Sequence, residues 1–190
     1  SVASLDQLSD GRVIFGVGGG WNVDEMENHG ASYSSRFKLL RENILAMKQL
    51  WMEEQGEFHG EFVDFDPAFC WPKPIQTPHP PVILGGETDY TLRRVVEFCD
   101  GWLPRPRANI EDGMERLRRV ADEGNRVINS ISVTVFGAPP KPEKLAGIIM
   151  YKDAIPVEEG VPLNLKPICL PSLRIFSYSS AVSKNDSLAL

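Results

Sequence analysis

The sequence predicts an α/β chain in which parallel strands alternate with helices, and three observations carry that reading. Short apolar runs recur at Arg12–Val17, Pro81–Leu84, Gly101–Leu103 and Ile131–Phe136, three of them rich in β-branched residues. Each is followed at once by Gly or Pro. The stretches between them place apolar residues three and four apart, the period of an amphipathic helix. Short runs that are apolar throughout fit strands covered on both faces. Strands and helices in alternation build a parallel sheet.

The elements follow in order. Ser4–Leu8 reads as the end of a helix, broken by Ser9-Asp10-Gly11 because glycine eases a helix exit. Arg12–Val17 is the first strand and runs into Gly18-Gly19-Gly20 and Trp21. A polar loop through Asp24, Glu25 and Glu27 follows. From Ser35 to Met52, Phe37, Leu40, Ile44, Met47 and Trp51 form one apolar stripe, with Ser34 or Ser35 as N-cap. Between Glu57 and Pro74 the rhythm changes to aromatics interleaved with Gly and acids, a short hairpin or an extended excursion. Pro72, Pro74, Pro78, Pro80 and Pro81 then stiffen the backbone.

Pro81–Leu84 is the second strand, closed by Gly85-Gly86. Thr88 or Asp89 caps a helix with Leu92, Val95, Val96 and Cys99 on one face. Gly101–Leu103 is the third strand and ends at Pro104. Asn109 to Asp112 starts a helix with Met114, Leu117 and Val120 inward. Ile131–Phe136 is the fourth strand, and Pro142–Tyr151 opens a further helix. From Asp153 the pattern dissolves among Pro156, Pro162, Pro167 and Pro171 and a serine-rich end, with no strand–helix unit readable. The expected organisation is one incomplete domain over 1–150 and a divergent or partly disordered tail over 151–190.

Composition narrows the function. The 190 residues carry 20 Lys+Arg against 26 Asp+Glu, a net charge of −6. An acidic chain lacks the basic face that a nucleic-acid binder needs to displace counterions. No apolar run reaches the ~18–20 residues of a membrane span, and no secretory leader is present, so a cytoplasmic protein is expected. The chain begins at Ser1 rather than Met, which suggests processing or a fragment. Cys70, Cys99 and Cys169 are odd in number and far apart, as are His29, His59 and His79. Neither set offers metal-ligand spacing, so no bound metal is expected.

Candidate chemistry sits after the strands, because ligands in parallel α/β folds bind beyond the strands' carboxyl ends. Gly18-Gly19-Gly20 and Gly85-Gly86-Glu87-Thr88 both occupy that place. Glycine lets a ligand approach the main chain, and a helix start offers amides to an anion. Gly86-Glu87-Thr88-Asp89 is therefore a candidate phosphate cradle, with Thr88 and Thr91 adding hydroxyls; the alternative is a capped turn without a ligand. Trp21 and Trp102 are candidates to wall a flat cofactor or apolar substrate, or else core residues. Arg105 and Arg107 are candidates to neutralise an anion, or a solvated loop. A dinucleotide fingerprint, a P-loop and a Gly-x-Ser-x-Gly elbow are all absent.

In order along the chain, several segments resemble the luciferase-like monooxygenase family of flavin and deazaflavin oxidoreductases. They are Ala3-Ser4-Leu5-Asp6, Leu8-Ser9, Gly11-Arg12, Gly16-Val17-Gly18 with Gly20-Trp21, Glu25, Gly30, Arg36, Glu42 and Leu50-Trp51. The series continues with Pro72, Pro74, Gln76 and Pro78, then Pro81-Val82-Ile83 with Gly85-Gly86, and Asp100-Gly101-Trp102-Leu103-Pro104. It spans about Ser4 to Gly137 and fades by Ala146. Any one piece is weak; the ordered series is specific. The Gly20-Trp21 version of the first loop is more similar to the deazaflavin branch than to bacterial luciferase.

The resemblance implies a (β/α)8 barrel holding a flavin-type ring at the carboxyl ends of its strands. It implies coenzyme F420 as cofactor, with FMN as the alternative. The family's phosphate-binding turn falls on Gly86, Glu87, Thr88, Asp89 and Thr91, with Gly85 leading into it. The loop after its fourth strand falls on Gly18, Gly19 and Gly20. Luciferase carries a reactive cysteine and a phosphate-binding arginine there, so anion neutralisation in this chain must come from elsewhere. Four strands are readable where a closed barrel has eight. The family's first three strands precede the Ala3–Asp6 segment, so a partial barrel is expected. The expected activity is oxidoreduction of a small molecule, by hydride transfer or, with FMN, by oxygen activation. A second reading is a non-catalytic barrel remnant that pairs with a complementing chain or forms a homodimer. A third is an unrelated phosphate-binding barrel using Lys141.

Overall fold

A computed structural model describes residues 1–105 and 108–135, and the backbone of Arg174–Tyr178. The elements in chain order are α1 (Val2–Leu8), β1 (Ile14–Gly18), α2 (Val23–Asn28), α3 (Arg36–Met52), β2 (Gln55–His59) and β3 (Asp64–Phe69). Then come β4 (Val82–Gly85), α4 (Asp89–Phe98), β5 (Gly101–Leu103), α5 (Ile110–Glu123), β6 (Ser132–Val133) and β7 (Arg174–Tyr178). The described residues form two compact units. The first holds Ser1–Val13, Val17–Pro80 and the described residues from Ile175; the second holds Ile14–Gly16 and the described residues from Pro81 to Arg174.

The second unit is the strand–helix repeat that the sequence predicts. Its strands lie in the order β6-β5-β4-β1. β4 runs parallel to β5, pairing Ile83 with Gly101 and Gly85 with Leu103, and β5 runs parallel to β6. Val82, Ile83 and Leu84 are all buried, as a strand covered on both faces requires. Asp100 ties the strand starts together. Its carboxylate accepts from the Val82 amide at 2.8 Å, its own amide donates to the Val82 carbonyl at 2.7 Å, and its carbonyl accepts from the Ser132 amide at 3.0 Å.

α4 and α5 present Leu92, Val95, Met114, Leu117 and Val120 to the core, the stripe spacing at work. Arg126 closes α4 by donating from Nη1 to the carbonyls of Val95, Val96 and Cys99, the unpaired acceptors of a helix C-terminus. Gly113 of α5 packs on Trp102: a Cβ there would run into the indole ring.

In the first unit, α3 carries Leu40, Ile44 and Trp51 inward, while Phe37 and Met47 are half-buried. β2 and β3 form an antiparallel hairpin with an irregularity between Gly56 and Phe58, settling the choice between hairpin and excursion. Glu42 of α3 holds the hairpin's turn. Its carboxylate accepts from the amides of Glu61 at 3.0 Å, Phe62 at 2.7 Å and Val63 at 2.9 Å. Asp6 is fully buried and does a comparable job, accepting from the Gln76 amide at 2.9 Å and its Nε2 at 2.7 Å. Lys73 caps α3 by donating to the carbonyls of Leu50, at 2.8 Å, and Glu53.

One expectation is corrected. The stretch through Asp24, Glu25 and Glu27 is not a loop but α2. Asn22 caps it, accepting from the Glu25 amide at 3.3 Å, and Asp24 and Glu25 sit in its first turn, where negative charge suits the helix dipole. The tail over 151–190 contributes one described strand, β7, and no described strand–helix unit, so that expectation is not overturned. The helix expected over Pro142–Tyr151, Arg107, Lys141, Cys169 and Phe136 lie outside the described residues; of the fourth strand expected over Ile131–Phe136, only Ser132–Val133 is strand, and Ile131, Thr134 and Val135 are not. Cys99 is buried and Cys70 half-buried. Among the described residues no helix is long and apolar enough to cross a membrane.

Two predictions follow from this packing. Burial pushes the Glu42 carboxyl up, but the amides of Phe62, Val63 and Glu61 outweigh it and hold the group below the ordinary glutamate value. Its stabilisation is thus complete above the unfolded value near 4.3 and is lost as pH falls through the lower folded value. Glu42→Gln should cost about 1–3 kcal/mol at neutral pH and flatten the acid side of the stability profile, read by urea unfolding across pH. Gly113→Ala should cost about 1–3 kcal/mol by overpacking against Trp102, read the same way.

Candidate functional site

The turn between β4 and α4 gathers Gly85, Gly86, Glu87, Thr88, Asp89 and Thr91. Gly86 has φ +128°, a conformation that L side chains rarely adopt, and a Cβ there would lie 2.8 Å from Thr91 Oγ1. Its carbonyl accepts from Trp102 Nε1 at 2.6 Å, which pulls the turn's inner side into the core. Thr88 is extended and caps α4. Its Oγ1 accepts from the Thr91 amide at 3.2 Å and lies 3.0 Å from Thr91 Oγ1. The amides of Asp89 and Tyr90 open α4 and have no acceptor within the helix, so the turn presents donors at the positive end of the dipole. That is the geometry of an anion cradle.

The turn's own carboxylates are neutralised. Glu87 accepts from the Arg105 amide at 3.0 Å and from its Nε at 2.9 Å, with Nη2 completing a bidentate pair. The Arg105 hydrogen bond holds the Glu87 carboxyl below the usual range, against burial, which pushes it up. Arg116 donates from Nη1 to Asp89 at 2.8 Å and to the Glu87 carbonyl at 2.9 Å, and Arg119 reaches Asp89 at 3.3 Å. The Arg116 bond keeps Asp89 ionised well below its ordinary value. Without these arginines two negative charges would repel a phosphate from the turn. The sequence offered Arg105 as an anion neutraliser or a solvated loop; in the fold its first partner is Glu87. Nothing in the helical spacing of Arg116 reveals that it turns back to the α4 start.

Trp102 lines no surface. Its ring is wholly buried in β5, and it acts on the turn through the indole hydrogen bond rather than as a wall for a substrate. Trp21 is the opposite case: at 75% exposure it takes no part in the core.

The loop after β1 belongs to the first unit, and its three glycines sit in three settings. At Gly18 the space that a Cβ would fill is open. At Gly19 a Cβ would run into the Phe37 ring of α3. Gly20 has φ +75° and a Cβ there would lie 3.0 Å from Met26 Sδ. Gly18 is thus the one position of the three where a side chain would meet no neighbour.

Among the described residues no group of three or more His, Cys, Asp or Glu is placed to hold a metal ion. The residues of the turn after β4 are of the kind that suit a phosphate-bearing cofactor tail: glycine, the Thr88 and Thr91 hydroxyls and the α4 amides, with the turn's carboxylates paired to Arg105 and Arg116.

Comparison with known proteins adds three relatives. An uncharacterised protein of Mycobacterium tuberculosis (strain ATCC 25618 / H37Rv) is 39% identical over 148 residues, 77% of this chain and 52% of the relative. The FMNH2-dependent dimethylsulfone monooxygenase of Pseudomonas putida is 33% identical over 90 residues, 46% of this chain and 25% of that enzyme. The chain therefore spans about half of the mycobacterial relative's length or less of the others'. Among solved structures, the coenzyme F420 dependent tetrahydromethanopterin reductase from Methanopyrus kandleri superposes with a TM-score of 0.57 at 21% identity, over 71% of this chain and 43% of that one. This likeness shows the fold, part of a (β/α)8 barrel. The family described as luciferase-like monooxygenase matches residues 1–139. With the ordered motifs and the parallel β4-α4-β5-α5-β6 repeat in place, that match decides the matter: the chain belongs to the luciferase-like monooxygenase family.

Proposed function

We propose that this chain is part of a flavin- or deazaflavin-dependent oxidoreductase in which the turn Gly85–Thr91 holds the cofactor's phosphate. The observation that carries this is the Gly86 turn, tethered by Trp102, capped by Thr88 and relieved of its negative charge by Arg105 and Arg116. Coenzyme F420 is the preferred cofactor on the Gly20-Trp21 loop, and FMN the alternative. The bound ring would supply the hydride or oxygen chemistry. The protein's share is placement. Amides at the α4 start and the hydroxyls of Thr88 and Thr91 bind the phosphate, and Arg105 and Arg116 keep the turn's carboxylates neutralised. Trp21 offers an exposed ring face for an apolar small-molecule substrate. No acid or base is assigned.

The second reading is a non-catalytic barrel segment that works by pairing with another chain or a second copy. What favours it is coverage, since about half of the mycobacterial relative has no counterpart in this chain.

The two readings separate on cofactor binding. Titration of the full chain with F420 and with FMN, followed by cofactor fluorescence, should give saturable binding of one of them. Gly86→Ala should weaken it about tenfold or more, because the new Cβ meets Thr91 and the turn must open. Thr88→Ala should cost about 1 kcal/mol of stability through the lost cap and weaken binding in parallel. Saturable binding with wild-type affinity in Gly86→Ala would remove the turn from the site. Binding of neither cofactor would sink the oxidoreductase reading for this chain and favour the second.

A further inference from the structure

Two consecutive peptides of the turn after β4 have their carbonyls tied down, each from a different element. The Gly86 carbonyl accepts from the Trp102 indole of β5 at 2.6 Å, and the Glu87 carbonyl accepts from Arg116 Nη1 of α5 at 2.9 Å. In a planar trans peptide the carbonyl and the N–H that follows it point in opposite directions. The Glu87 amide is therefore turned away from the indole, and the Thr88 amide away from the guanidinium. Neither amide donates to an acceptor among the described residues.

Arg116 is itself held in place. Its Nε donates to Asp112, one turn earlier on α5, at 2.8 Å, and Nη1 also donates to Asp89 at 2.8 Å. Its side chain is 25% exposed, against 47% for Asp89 and 54% for Asp112, so it is the sheltered member of the group. With Nε fixed, the planar fork leaves the direction of Nη1 little freedom. Neutralising Asp89 does not require the contact with the Glu87 carbonyl, because a peptide oxygen carries no net charge. What that contact sets is the tilt of the Glu87–Thr88 peptide.

We propose that Arg116 is a positioning residue of this turn: by holding the Glu87 carbonyl it aims the Thr88 amide, beside the Glu87 amide aimed by Trp102, at the phosphate of the bound cofactor. The identity of that anion rests on the function proposed above. Arg116 acts through the main chain and not by touching the ligand, so its part is more than the removal of negative charge.

The test is a titration of the full chain with F420, with FMN and with each ring lacking its phosphate, followed by ring fluorescence. For the cofactor that binds, Arg116→Met should weaken affinity about tenfold and leave the phosphate-free ring unchanged. Arg116→Lys keeps the charge but not the Nε that fixes it to Asp112, so it should fall between the two. The double variant Arg116→Met with Asp89→Asn separates aim from charge. Removing the Asp89 charge restores affinity if neutralisation is the whole of Arg116's part, and leaves it low if the peptide must be held. Recovery in the double variant overturns the proposal, as does unchanged affinity in Arg116→Met or an equal loss for the phosphate-free ring; each leaves the cofactor reading standing. Where Arg116→Met does not fold, Arg116→Lys decides, and wild-type affinity there overturns. If wild type binds neither cofactor, the oxidoreductase reading fails and inorganic phosphate decides. Phosphate-induced shifts of the Glu87 and Thr88 amide resonances that are lost in Arg116→Lys then keep the positioning role, and their absence in wild type ends it.

Discussion

The hydrogen bond from the Trp102 indole to the Gly86 carbonyl is the constraint on which the second unit depends. Trp102 has no exposure, so its N–H must find an acceptor inside the protein. The acceptor it finds is the peptide that turns β4 into α4. The same ring presses on Gly113 of α5, and the same residue's carbonyl takes the Thr134 amide beyond β6. One side chain thus couples strand, helix and turn. The start of α4 is thus set by a wholly buried core residue, which fixes the turn from within rather than through the turn's own rigidity.

The sequence was legible where local physics decides. Short apolar runs closed by Gly or Pro became β1, β4, β5 and β6, and Thr88 and Asn109 became the caps their residue types suggest. The hairpin at Gln55–Phe69 was legible as a change of rhythm. α2 was not, because six residues with little apolar content leave no stripe, and only Asn22 marked the start. Trp102 was ambiguous in principle. A tryptophan beside a strand end has the same sequence signature whether its ring faces a ligand or the core, and the deciding atom, the Gly86 carbonyl, lies 16 residues away in the chain.

Charge placement was the least readable feature, since it depends on contacts between elements. Glu42 looks like any polar position on an amphipathic helix. In the fold it takes three consecutive amides of the hairpin turn, and Gly60 is needed there because a Cβ would strike that carboxylate. Arg126 and Lys73 likewise close helices from a distance. Such groups are partners for main-chain atoms that would otherwise be unpaired, and their energetic weight comes from that pairing rather than from attraction between ions.

The two glycine-bearing turns need glycine for different physical reasons. At the β4 turn, glycine is required by the backbone: Gly86 sits at a φ other residues avoid, and Thr91 blocks any side chain. In the β1 loop the requirement is mostly one of space. Phe37 excludes a side chain at Gly19 and Met26 crowds one at Gly20, while Gly18 is unobstructed. A residue larger than glycine is therefore sterically free at Gly18 and excluded at Gly19 unless Phe37 moves. The same Phe37 ring carries the Arg36 guanidinium, 4.5 Å from its centroid. The ring that forbids a side chain at Gly19 is the ring that positions Arg36, so small loop residues and an aromatic-held arginine are two consequences of one packing choice.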